Sequence, residues 1–398
     1  MPATLTSTEI LMDVLQAFKK RIPAINRMGT DFRAESLKLD KQYTAHIASL
    51  PTIATYDSST GYKNGATAAR SLLTDVSITV NQHKHVPLKW THLDNIKDKK
   101  TKYDQVIGNA GYVLAKAVID DVLGGVTEAN FSVESVYSVA NSDLDALEAI
   151  NADMNKKGAA TEGRVGIINS DVATVLGADT RIASRDYLGQ MQGGNALRRF
   201  TNVSGFGEVF EYPDMPTNAL AAVTGVTAEA DDNVVTKVSH GFTDGTAVIF
   251  TSGTGFTGLT AGTRYYVRDA AADTFKLAAT RGGAAIDITV DGSSGVFTEC
   301  SLTGFFFEPR AVAILAGVPE DFNGAIAAQL GIPQLMGFET VTDPDTGLTL
   351  AAVSWQEVGT GDVYWSPTLV WGKAMGRQAV TATAGALTDY AGHRLLST

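Results

Sequence analysis

His83 and His85 stand two residues apart in VSITVNQHKHVPLKW (Val76–Trp90), and His92 follows shortly after. On a strand that spacing sends both imidazoles to one side, which is how a strand offers two nitrogen ligands to zinc. A zinc site needs three or four convergent ligands, and the sequence supplies no firm third. Cys300 is the only cysteine, so neither a cysteine metal site nor a disulfide framework is available. Ser239, His240 and Asp244 in SHGFTDG bring the residue types of acyl transfer together. Triads are defined by geometry rather than by closeness in sequence, and no Gly-x-Ser-x-Gly elbow accompanies them, so the stretch reads as a turn. GTGFTGLTAG (Gly253–Gly262) is glycine-rich but lies between strands, with no helix N-terminus to hold a phosphate. Lys63 and Asn64 could form an isopeptide bond between subunits if a carboxylate lay near the amine, and no such carboxylate can be identified. No catalytic, cofactor or metal site emerges, so the chain is not expected to be an enzyme.

The elements around these residues are more informative. The chain has 398 residues, 44% of them hydrophobic and 19% charged, enough for two or three domains with full cores. No apolar run reaches membrane-spanning length, and the N-terminus lacks the order of a secretory signal. A single cysteine fits folding in a reducing cytoplasm. Charge is unevenly spread. Residues 1–100 hold 14 Lys+Arg against 9 Asp+Glu, a net of +5, and the rest carries −16. Such a split reads either as ordinary solvated surface or as one face turned towards a polyanion.

Ile10–Phe18 has helical spacing, and the segment after it, to about Leu50, reads as an arm that gains order by lying on something else. Val76, Ile78, Val80, Val86, Leu88 and Trp90 share one parity of a strand that would span roughly 50 Å. A strand so long suggests a projecting hairpin with its tip near Ser58–Gly65. Because a lone hairpin is marginal, its apolar parity is expected to be buried only across subunits. Lys102–Leu123 reads as a long helix with a stripe of Val106, Ala110, Val113, Ala117 and Val118, ended by Gly124-Gly125. Asp120 and Asp121 in its last turn oppose the helix dipole, with no local reason. A second helix is capped by Ser142 and buries Leu144, Leu147, Ile150 and Met154. RVGIIN (Arg164–Asn169) reads as a buried strand. From about Thr217 to Leu302 short alternating runs (VVTKVS, AVIFTS, RYYVR, TFKLAAT, IDITV, GVFTE) predict a small β sandwich or barrel set into the chain.

This order of parts resembles the major capsid proteins of tailed bacteriophages with the HK97-type fold. The likeness rests on the Gly194–Arg198 turn (GNALR), the Gly205-Phe206 loop and the strand ending in YPDMP (Tyr212–Pro216). It continues through FFFEPRAVAIL (Phe305–Leu315), TGLTLAAVSWQEV (Thr346–Val358) and VWGKAMGRQAV (Val370–Val380). It covers everything outside residues 217–302. The resemblance implies an α+β chain made of an N-terminal arm (1–50), an extended loop (51–92) and a peripheral domain with its spine helix (93–142). An axial domain (143–216), an inserted β domain (217–302) and a return through both host domains (303–398) complete it. It also implies a structural subunit that forms hexamers and pentamers of an icosahedral shell around double-stranded DNA, assembled in the host bacterial cytoplasm, with no cofactor and no membrane. Implied partners are a portal, a decoration protein and a scaffolding protein, expected to be separate because so short a stretch precedes the long helix. Lys19, Lys20, Arg21, Arg27 and Arg33 would face the interior, and the insert would sit on the outer surface. Two other readings stand beside this one. The first is an encapsulin-like shell enclosing enzymes. The second is a carbohydrate-binding or adhesive protein whose β module stacks sugars on Tyr265, Tyr266 and Phe275.

Overall fold

The computed structural model describes residues 7–21, 23–48, 56, 58–59, 73–90, 100–127, 130–157, 159–183, 199–215, 222–309, 311–319, 335–344, 347–356, 362–375 and 391–397. In chain order the elements begin with α1 (Ser7–Arg21), a 3-10 turn (Pro23–Arg27), β1 (Gly29–Leu37), β2 (Gln42–Ala48), β3 (Leu73–His85), β4 (Leu88–Trp90) and α2 (Lys100–Gly124). Next are β5 (Glu134–Tyr137), α3 (Leu144–Lys156), β6 (Val165–Ile168), α4 (Ser170–Ala178), α5 (Thr180–Ala183), β7 (Arg199–Val203) and β8 (Phe206–Glu211). Six further strands are β9 (Val223–Glu229), β10 (Val234–Thr236), β11 (Ala247–Thr254), β12 (Thr263–Arg268), β13 (Thr274–Ala278) and β14 (Gly292–Glu299). The chain finishes with β15 (Ser301–Phe307), β16 (Val312–Pro319), β17 (Leu335–Thr342), β18 (Thr349–Gln356), β19 (Val363–Met375) and β20 (Gly392–Ser397). Two compact units divide it, one from residues 1–125 and 309–388, the other from 126–308 and 389–398.

The first unit is a mixed sheet with β19 as its hub. The early residues of β19 pair β18 and β4, and the later ones pair β16 and β3. The N-terminal segment corrects the reading of an arm that lies elsewhere. β1 joins this sheet in parallel with β16, and α1 packs on α2. The helix packing depends on Gly111, where a Cβ would stand 2.4 Å from the carbonyl oxygen of Val14 and 2.9 Å from the Ala17 Cβ. Of the expected stripe of α2, Ala110 and Val118 are buried, and the rest of the buried face is Ile107, Leu114, Ile119 and Val122. Val106 and Val113 instead stand 43% and 49% exposed. Asp121 is explained by residues far along the chain. Its carboxylate lies 2.7 Å from Lys373 Nζ and accepts a hydrogen bond of 3.0 Å from Trp371 Nε1. Asp120 pairs with Lys116 one turn back.

The expected 15-residue strand is two strands. β3 stops at His85 and β4 starts at Leu88, because Pro87 has no N–H to donate. Inside β3, Gln82 faces Trp371 while Val80 faces Gly372, so Asn81 is an extra residue that bulges. The bulge reverses the parity. Directly opposed residues share a face, so Ile78 and Val80 lie on the face of Val370, whereas Leu88 stands opposite Trp365 on the other. The six apolar residues of Val76–Trp90 therefore do not form one surface.

In the second unit, β5-β20-β15-β6-β8-β7 form a six-stranded sheet. Placing β5 here corrects the assignment of 93–142 to a single domain. α3 and α4 cover the sheet through Leu147, Ile150, Met154, Val172 and Leu176, packed with Phe206 and Phe306. The cap of α3 is Asp143 rather than Ser142, and its Oδ1 accepts from the amides of Asp145 and Ala146. The Ser142 hydroxyl donates back to the Ser138 carbonyl. Asn169 caps α4 by accepting from the Val172 amide at 2.9 Å. Gly166 in β6 leaves room for Phe306, whose ring a Cβ would meet at 2.6 Å.

The inserted module is a closed barrel, β10-β13-β12-β11-β14-β9. It ends at Glu299, since Ser301–Phe307 already belongs to the host sheet. Its core, which includes Val226, Val248, Phe250, Phe256, Phe275 and Phe297, is its own. IDITV, expected as a strand, is not one. Its alternation buries Ile288 and packs the half-buried Ile286 against the same core, with the Ile288 amide donating to Asn233 Oδ1.

Candidate assembly surfaces

Two features of the first unit could meet another chain. β3 joins the main sheet through Thr79–His85, while its earlier residues pair only with β2 among the described residues, from Gln42 opposite Thr79 to Ala48 opposite Leu73. Beyond the sheet this is a two-stranded ribbon of six residue pairs, about 20 Å long at 3.4 Å per residue. A two-stranded ribbon in water is marginal by itself. The second feature is the outer face of α2. Val106 and Val113, two turns apart, line up on one side, so this helix is apolar on opposite faces.

The expected contact residues divide. Ile78 and Val80 are 3% and 0% exposed, packed with Leu37, Leu315 and Val370 of the same chain. Burial of such side chains contributes about 1.5–3 kcal/mol each to this unit's own core. The expectation that they are buried only across subunits is therefore corrected. Val86 and Leu88 are half-buried, and the side chains of Val76 and Trp90 lie outside what is described. Of the basic group, Lys19 is not available to a polyanion, because its amine pairs with Asp343 at 2.8 Å. Arg27 is exposed at the end of the 3-10 turn, and the side chains of Lys20, Arg21 and Arg33 lie outside the described set.

The groups first considered for chemistry have structural roles. The His83 Nε2 and Thr368 Oγ1 atoms lie 2.9 Å apart, as do His85 Nδ1 and Ser366 Oγ, so these imidazoles bind hydroxyls of β19. Burial first, and then the neighbouring His85, hold the His83 pKa below its ordinary value. No group of metal-binding side chains exists among the described residues. His240 is buried against Phe242 and Phe275, with Nδ1 accepting from the Phe242 amide at 3.0 Å. Asp244 accepts instead from the Ala270 amide, so no triad forms. Tyr265, Tyr266 and Phe275 are all buried, which removes the sugar-stacking reading of the module. His92, Lys63, Asn64 and the Gly194–Arg198 turn lie outside the described residues. No helix among those described is long and apolar enough to cross a membrane.

One polar cluster was missed in the sequence. Glu134 on β5, Arg394 on β20 and Arg281 between β13 and β14 meet below the barrel. Their separations along the chain leave no local pattern that could have announced them.

No family model and no curated protein matches the sequence. Among solved structures, the chain is similar to the capsid of the cyanophage P-SCSP1u, at 12% identity and a TM-score of 0.46, covering 94% of this chain and 86% of that one. It is similar to the capsid of Ralstonia phage GP4 at 8% identity and a TM-score of 0.45, covering 93% and 87%. The head structure of Helicobacter pylori bacteriophage KHP40 is similar at 10% identity and a TM-score of 0.44, covering 100% of this chain and 93% of that one.

Proposed function

We propose that this chain is the major capsid subunit of a tailed phage with the HK97-type fold, and that copies of it close into an icosahedral shell around double-stranded DNA. The observation that carries this reading is the β2–β3 ribbon. Among the described residues its strands pair only with each other beyond Thr79, and past Ile78, which packs in this chain's own core, the ribbon needs a neighbouring copy to lie on. The exposed Val106 and Val113 on α2, and the ordered sequence motifs from Gly205 to Val380, support the same reading. In it the chain is structural rather than catalytic, and the barrel stands on the outer surface. A scaffolding protein, a portal and a decoration protein complete the particle, which is built in the bacterial cytoplasm.

Negative-stain electron microscopy of the chain, expressed alone and with its scaffolding partner, tests this. Closed shells tens of nanometres across, made of hexamers and pentamers, are expected. Nuclease-protected DNA in the particles distinguishes a phage head from a shell that encloses enzymes. Monomers or dimers in both preparations, across a range of salt, would refute the proposal.

A further inference from the structure

We infer that the barrel is held on the axial sheet as one rigid body by an ionic clasp, in which Glu134 of the sheet takes an arginine from each side. The Glu134 side chain is 6% exposed, and its Oε2 lies 2.6 Å from Arg394 Nη2. The same oxygen lies 3.6 Å from Nη2 of the barrel's Arg281. Arg394 belongs to the sheet and donates from Nε to the Phe131 carbonyl at 2.7 Å. Arg281 donates to the Ser132 carbonyl, just before β5, and to the Gly245 carbonyl, just before β11 of the barrel, each at 3.1 Å. One guanidinium thus bridges both bodies, and a planar fork with fixed donors suits that task better than an amine.

The surroundings reinforce the clasp. Tyr266 of the barrel lies under two guanidinium groups, with Arg264 at 5.0 Å and Arg281 at 5.9 Å from its ring centre. Burial, and then the charge of Glu134, push its phenol up to about 12. Ala247 and Tyr266 of the barrel pack against Cys300 and Leu396, forming an apolar seam beside the ion pairs. The chain itself is nearly continuous there. β14 ends at Glu299, β15 begins at Ser301, and the Cys300 amide between them still donates to Ala247. A covalent strand, an apolar seam and a charged bridge fix the barrel at one patch. Of these, the bridge is the one that a single substitution can open while the apolar seam stays intact.

Cys300 is a native reporter, being the only cysteine, 7% exposed and located in the seam. Burial pushes its thiol up to about 12, so a thiol reagent labels it only when the seam opens. The test is made on the unassembled full chain, so its outcome is independent of whether the chain builds shells. Glu134→Gln and Arg281→Met are labelled beside the parent chain, each in zero and low urea, with circular dichroism as a check on folding. In both variants labelling is expected at least tenfold faster, a change of about 1.4 kcal/mol in local opening, and independent of low urea, as local opening is. Labelling at the parent rate in folded variants would overturn the inference. So would acceleration that rises with urea in step with global unfolding. If Glu134→Gln does not fold, Arg281→Met decides alone, since its side chain is 25% exposed and its loss leaves the Glu134–Arg394 pair in place.

Discussion

Acid should destabilise the second unit through one histidine. His393 is fully buried in β20, between β5 and β15. Its Nε2 lies 2.9 Å from the Ser135 hydroxyl, and its Nδ1 lies 3.4 Å from the Asp153 carboxylate. Burial lowers its pKa from 6.5 to about 4; Asp153 pulls it upward, while Lys157 and Arg394 add to the lowering. Because the folded value is below the unfolded one, the unfolded chain binds more protons between these limits. The contribution is therefore fully present above about pH 6.5, declines as pH falls, and is gone below about pH 4. At about 1.4 kcal/mol per pH unit, the fall from 6.5 to about 4 corresponds to about 3 kcal/mol. All four tryptophans, Trp90, Trp355, Trp365 and Trp371, lie in the other unit, so their fluorescence does not follow this one. Urea unfolding is better read by labelling Cys300 with dithiodipyridine, a disulfide that reacts with thiols in acid. His393→Gln keeps a partner for Ser135 and removes the titration. Between pH 7 and pH 4 the parent should lose about 3 kcal/mol more than His393→Gln. Equal losses in the two chains, or a directly measured His393 pKa near 6.5, would refute the reasoning.

Gly111→Val should force α1 off α2, since a Cβ there already meets backbone and Ala17 at under 3 Å. Tryptophan fluorescence in urea should show the first unit weakened by about 1–3 kcal/mol, the usual cost of overpacking. Ile78→Ser and Val113→Ser separate the unit's own core from its outer surface. The first should lower the stability of the unassembled chain by about 2–4 kcal/mol in the same assay. The second should leave that stability within about 0.5 kcal/mol and reduce the yield of particles counted by electron microscopy.

Local rules read the barrel well and the long strand poorly. Turn residues and short alternating runs mark β9 to β13, where β9 pairs with β10, β11 with β12 and β12 with β13, each close in sequence, while β14 closes the barrel against the more distant β11 and β9. The exception is IDITV, where alternation around Ile288 imitates a strand although its amides bond Asn233 and Leu277. In β3 the even-numbered apolar row is real, but the bulge at Asn81 depends on Gly372 and Trp371, which lie far along the chain. Nothing between Val76 and Trp90 records them, apart from the polar Gln82 and Lys84 that interrupt the row. For α2 the helix was legible and its phase was not. A helix apolar on most sides carries no single stripe, and its packing against α1 at Gly111 decides which one is buried. Asp121, which no helix rule explains, is accounted for by Lys373 and Trp371.

The place of the insertion has a geometric reason. β6 lies between β15 and β8 in the six-stranded sheet. Ile168, at its end, faces Glu211 of β8 on one side and Gly304 of β15 on the other. The last residue of β8 and Gly304, the fourth residue of β15, thus flank the same end of one strand, about 10 Å apart at two interstrand spacings. The host sheet would need only a short link to join them. The barrel presents its own ends as a pair, Val223 directly opposite Phe297, at about the spacing of adjacent strands. Two ends that are close in the insert meet two ends that are close in the host, so neither body is deformed by the other. Apart from the nearly continuous run from β14 into β15, the junction leaves the barrel's orientation open. Fixing that orientation falls to Cys300 and the residues around it, and chiefly to Glu134, which draws Arg281 down from the barrel while Arg394 holds it from below.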